Sequence, residues 1–101
     1  MPTTLPTFTS SDFNAGRRFT AESLQDAGHR VAQAIARRRF GRRCYARTCN
    51  LNSWSQDRDG DIVAGHFQAT MGHDVRTGPG QYDYRTIVHG EESFTVRVVA
   101  E

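Results

Sequence analysis

Residues 20–41, TAESLQDAGHRVAQAIARRRFG, decide the fold. Leu24, Ala27, Val31, Ala34 and Ile35 recur at i, i+3, i+7, i+10 and i+11, the spacing of one apolar stripe on a helix. Asp26, His29, Arg30, Gln33 and Arg37 fall on the opposite side. Thr20 offers an N-cap hydroxyl, Glu22 an acid for the first turn, Arg37, Arg38 and Arg39 cations for the last, and Gly41 a stop. Both charge placements suit the helix dipole. The stripe is narrow and rich in alanine, so a helix over 20–40 is expected to lie close against a sheet.

Downstream of Gly41 the apolar period changes from 3.6 to 2. Arg43–Ser55 reads as a strand, closed by the turn Gln56-Asp57-Arg58-Asp59-Gly60-Asp61 with its Asp-Gly pair. Ile62–Met71 reads as the next strand, with Val63, Phe67, Ala69 and Met71 on one face. Gly72–Gly80 reads as a loop, Tyr82–His89 as a strand, Gly90-Glu91-Glu92 as a short turn, and Ser93–Ala100 as a last strand. Upstream, Met1–Thr7 is Thr- and Pro-rich and reads as a flexible arm, and Phe8–Phe19 as one or two short strands around a turn at Asn14-Ala15-Gly16. The expectation is an α+β domain over residues 8–101, a single helix packed on one face of a four- to five-stranded antiparallel sheet in the order β-α-β-β-β-β. The second face of that sheet has no helix to cover it and should be polar and aromatic.

A chain of 101 residues is one domain's worth, and 37% hydrophobic residues with six Phe, three Tyr and one Trp can seed a core. No apolar run approaches the ~18 residues of a membrane span, and no signal-peptide core opens the sequence. Cys44 and Cys49, five residues apart, fall on opposite faces if their segment is a strand. They are then two separate reduced thiols, which fits a cytoplasmic setting. These features argue against a membrane protein, a secreted disulfide scaffold and a multidomain enzyme.

Charge is unevenly spread. Residues 1–50 hold nine Arg against three acids, a net of +6, and residues 51–101 hold four Arg against eight acids, a net of −4. All thirteen basic residues are Arg, whose planar guanidinium binds phosphate or carboxylate bidentately. Arg37, Arg38, Arg39, Arg42, Arg43 and Arg47 crowd into eleven positions, with Phe40 and Tyr45 interleaved. Three successive arginines cannot share one helical face, so the patch must wrap the helix end. Such a patch can receive an anionic partner, and Tyr45 or Trp54 could add an apolar anchor. On the open sheet face, Arg85 and Arg97 are expected beside His66 and Gln68, with Val88 turned to the helix.

Catalytic and metal signatures are weak. Asp57, Asp59 and Asp61 alternate around Gly60, but a calcium loop needs a glutamate six residues beyond its glycine, and residue 66 is His66. The segment reads as an acidic turn. Gly78-Pro79-Gly80 lacks the lysine of a phosphate loop. His73 neighbours Asp74 at the start of the expected loop, and His66 and His89 could meet across paired strands, yet no HxH, HExxH or CxxC spacing supports a metal. Neither a cofactor, a metal nor a catalytic residue is expected.

The helix opening Phe19-Thr20-Ala21-Glu22-Ser23-Leu24, with Ala27 one turn on and an antiparallel meander to follow, resembles small anti-CRISPR proteins of phages and other mobile elements that act on type I systems. The resemblance spans 19–99 as architecture and only the helix opening as sequence. It implies a non-enzymatic inhibitor that occludes a surface of a CRISPR effector or another ribonucleoprotein, and it places no site residue. The alternative is a nucleic-acid-binding module or small regulator that sets the same arginines on phosphates. Either could act as a monomer or a homodimer.

Overall fold

The computed structural model describes residues 5–99. Its elements are β1 (Thr7–Thr9), β2 (Phe19–Thr20), α1 (Leu24–Phe40), β3 (Tyr45–Gln56), β4 (Ile62–Arg76) and β5 (Tyr84–Val98). The five strands form one antiparallel sheet in the order β2-β1-β5-β4-β3, with α1 packed on it. The α+β architecture, one helix on one antiparallel sheet, is the one expected.

Element boundaries differ in four places. The N-cap of α1 is Ser23, whose hydroxyl accepts from the Asp26 backbone N–H at 3.1 Å, and Thr20 belongs to β2. Strand β4 does not stop at Met71 but continues through Gly72 to Arg76, so the loop shrinks to 77–83. A Cβ at Gly72 would lie 2.6 Å from the Ile87 carbonyl oxygen; glycine here permits close approach of the backbones rather than breaking the strand. No turn forms at Gly90-Glu91-Glu92, and the two expected C-terminal strands are one, β5. The chain order is therefore β-β-α-β-β-β. Finally, the arm is shorter than 1–7, because Thr7 opens β1 and the Pro6 carbonyl accepts from Ala21 N–H at 3.3 Å. The remainder of the expected arm, 1–4, and the expected strand end Ala100 lie outside the described residues.

The signal misread at Gly90 is a bulge. Met71 pairs with Gly90 and Gly72 with Val88, which leaves His89 as an extra residue. Gly90 takes φ +153°, which side-chain-bearing residues rarely adopt. The bulge reverses the alternation of β5. Phe94 and Glu92 lie opposite Phe67 and Ala69 on the helix side, whereas Val88 turns to the open face and is 50% exposed. Arg85, opposite Val75, consequently falls on the helix side, and Arg97 keeps its expected place on the open face.

The core joins Phe8, Ala27, Val31, Ala32, Ile35 and Ala36 to Ala46, Phe67, Ala69, Met71, Phe94 and Val96. The Phe67 and Phe94 rings stack at 5.4 Å and 9°. Gly28 packs directly on Phe67, and a Cβ there would clash with the ring's Cε1, Cζ and Cδ1 atoms. The helix is about 25 Å long and the β4–β5 ribbon about 50 Å, so strand extends past both helix ends. Leu24 lies near Gly65 and Leu51, and Phe40 stacks on His89, itself stacked on His73; α1 thus runs parallel to β4 and antiparallel to β3 and β5. No helix among the described residues is long and apolar enough to cross a membrane.

Candidate binding site at the helix C-terminal end

The last turn of α1 delivers Arg37, Arg38 and Arg39, and Gly41 at φ +115° redirects the chain. A tight turn, closed by Cys44 N–H donating to the Gly41 carbonyl at 3.0 Å, then carries Arg42 and Arg43 into β3. All five arginines are exposed around this one end. They are not equally available. Arg39 Nη1 donates to Glu92 Oε1 at 3.0 Å, and Arg38 Nη2 lies 3.8 Å from Asp12 Oδ1. Among the described residues, Arg37, Arg42 and Arg43 make no ion pair within 4.0 Å. Glu92 of the acidic half therefore neutralises Arg39, Asp12 of the basic half approaches Arg38, and three of the five have no ion-pair partner among the described residues.

Tyr45 and Arg47 do not join this group. Tyr45 lies opposite Gly72, and its hydroxyl donates to Asp74 Oδ1 at 2.8 Å on the open sheet face. Thr86 donates to the same oxygen at 2.7 Å. These two hydrogen bonds, Thr86 first and then Tyr45, hold the Asp74 carboxyl below its usual range, and the Asp74 bond pushes the Tyr45 phenol up. Arg47 lies over Gly72 beside this network, so the sheet separates Tyr45 and Arg47 from the helix-end arginines. Trp54 is farther still. It stands nine positions along the strand from Tyr45, about 30 Å, and is 52% exposed beyond the start of α1. The eight residues expected to act together occupy three places.

Sequence reasoning missed the floor of the helix-end site. An open cleft of about 380 Å³ is lined by Phe40, Gly41, Arg42, Arg43, Cys44, His73 and His89. The Cys44 thiol donates to the Phe40 carbonyl at 3.2 Å, and His73 Nδ1 lies 2.5 Å from His89 Nε2. The two imidazoles stack at 4.7 Å, and Phe40 stacks on the outer side of His89 at 5.5 Å. The thiol and both ring nitrogens lie within 4.8 Å of one another. The missing signals were structural: His73 lies within β4 rather than in a loop, and the bulge at His89 turns its ring to the helix side. His66, the expected partner of His89, is held on the open face between Ser55 and Thr95, 3.1 Å from each.

The two cysteines are free, but they do not lie on opposite faces. Cys44 precedes β3, and the register shift between Ala46 and Thr48 returns Cys49 to the core side, opposite Ala69. Burial pushes the Cys49 thiol up. Asp57, Asp59 and Asp61 form the acidic turn expected, with Asp57 Oδ1 accepting from the Asp59 and Asp61 backbone N–H groups at 2.9 and 3.0 Å. Comparison with protein-family models, curated proteins and solved structures finds no match to this chain.

Proposed function

We propose that this protein is a non-enzymatic binding protein whose arginine-rich end seats on an anionic surface of a nucleic-acid-handling complex and blocks it. The observation that carries the reading is the set of three exposed guanidinium groups, Arg37, Arg42 and Arg43, gathered at one end without an ion-pair partner among the described residues. Free guanidinium groups close together favour phosphate or carboxylate ligands, and an interface of ~800 Å² per partner fits on a domain this size.

A compact partner surface is favoured over naked nucleic acid by the opposite pole. The Asp57-Asp59-Asp61 turn closes the far end of β3, about 40 Å of strand from Tyr45. A continuous polyanion running along the sheet would meet those carboxylates, whereas a local anionic patch is oriented by the dipole. The resemblance of the helix opening to anti-CRISPR proteins makes a type I CRISPR effector the first partner to test.

The test is a DNA-binding assay of a purified type I effector with and without the protein, beside an electrophoretic assay on free RNA and DNA. The expected result is inhibition of the effector's DNA binding with no retention of the free nucleic acids. Retention of free RNA or DNA that falls steeply with salt would instead establish the nucleic-acid-binding module.

A further inference from the structure

We propose that Cys44, His73 and His89 form a binding site for one Zn²⁺ ion. This goes beyond the reading of the arginine-rich end and does not depend on it. The three donors come from three separate elements, the turn after α1, β4 and the bulge of β5, and their ligand atoms nevertheless lie within 4.8 Å of one another. One thiolate and two imidazoles are a donor set that suits Zn²⁺, and three protein ligands with one open position is an arrangement that ion accepts.

The helix end favours a cation here, and a thiolate ligand offsets part of the charge of Arg42 and Arg43, which line the same cleft. The site lies at the C-terminal end of α1, where the last carbonyls concentrate negative partial charge, and the Phe40 carbonyl is already turned to Cys44. Phe40 stacks on His89, and His89 on His73, which keeps both imidazoles beside the Cys44 turn. Tetrahedral coordination at Zn–N distances of about 2.0–2.1 Å places two nitrogens roughly 3.3 Å apart. The two nitrogens must therefore separate by just under 1 Å, and one ring must rotate out of the stack to aim its lone pair at the ion while the thiol closes on both; His89 is exposed and free to make that rotation. On binding, the proton that Cys44 shares with the Phe40 carbonyl leaves to solvent, a Zn–S bond forms, and each imidazole gives a lone pair while keeping its proton on the other nitrogen. The three donors line an open cleft, so a fourth ligand, water, can reach the ion from solvent.

The glycine at position 90 supports the same conclusion. The bulge puts a residue that strands rarely tolerate, φ +153°, beside His89, and its effect is to bring that ring to the thiol. Cys44 also lies only 5% exposed while His89 is open to solvent, so the ion has an entry path and a protected anchor.

The test uses the full chain, reduced, loaded with Zn²⁺ and desalted, with metal content measured by elemental analysis. Co²⁺ serves as the optical probe. The expected result is one Zn²⁺ per chain, a thiolate-to-cobalt charge-transfer band that Cys44→Ser abolishes, and affinity at least ~100-fold weaker in His73→Ala and His89→Ala. His66→Ala should bind as the parent does. Metal-free circular dichroism identifies any variant that fails to fold, and His89→Gln, at an exposed position, provides a second imidazole removal. Less than about one-tenth of an equivalent bound by the folded parent would overturn the proposal. So would retention of full affinity by the Cys44, His73 and His89 variants.

Discussion

Asp74 accepts hydrogen bonds from both Thr86 and Tyr45 on one oxygen, and this small network makes a pH prediction. The carboxyl is held below its ordinary value of 3.8, so its contribution to stability is complete above that pH and is lost as pH falls through the folded-state value. The phenol is held above its ordinary 10.0, so its contribution is present below that pH and is lost as pH rises through the folded-state value. Urea midpoints measured from about pH 2 to 7 should therefore fall more steeply at the acid end for the parent than for Asp74→Asn. Parallel acid limbs would show that the network contributes nothing. Neither of these two contacts was legible in the sequence, because Tyr45, Asp74 and Thr86 meet only once the register of β3, β4 and β5 is fixed.

At the scale of elements, the helix and its seat were largely legible and the strand ends were not. The alanine-rich stripe predicted close approach, and Gly28, Ala32 and Ala36 complete it. The approach is so close that Gly28→Ala should lose more by pushing on the buried Phe67 ring than the ~1 kcal/mol alanine offers a helix, with a net cost of about 1–3 kcal/mol in urea unfolding. A rise in stability would show that the ring yields freely. Ser23→Ala should cost about 1 kcal/mol through loss of the cap to Asp26 N–H, whereas Thr20→Ala should cost less, since Thr20 caps nothing. Equal losses would contradict the placement of the cap. Glycine was the source of the boundary errors: Gly72 and Gly90 look like breaks in a one-dimensional reading, and in the sheet they are a site of close approach and a bulge. One misread bulge then reversed the assignment of face along the first half of β5, taking Arg85, Val88 and His89 with it.

Across the whole molecule, the lopsided charge seen in the sequence becomes a dipole, with Arg37, Arg42 and Arg43 at one end and the aspartate turn at the other. What composition could not reveal is which arginines are already spoken for. Arg39 is tied to Glu92 from 53 residues away, and Arg38 approaches Asp12. Contiguity in sequence also misled at Tyr45 and Arg47, which follow the cluster in the chain yet stand on the other side of the sheet. Because Arg37, Arg42 and Arg43 are the members of the helix-end cluster with no ion pair among the described residues, the most direct test is a comparison of the parent with the triple variant Arg37→Glu, Arg42→Glu, Arg43→Glu. Each is titrated into the purified type I effector complex and read by effector binding to its target DNA, with Arg97→Glu on the opposite face as a control. The account predicts inhibition by the parent and the control, and at least a 10-fold weaker effect for the triple variant. Equal inhibition by all three, or none by the folded parent, would contradict it.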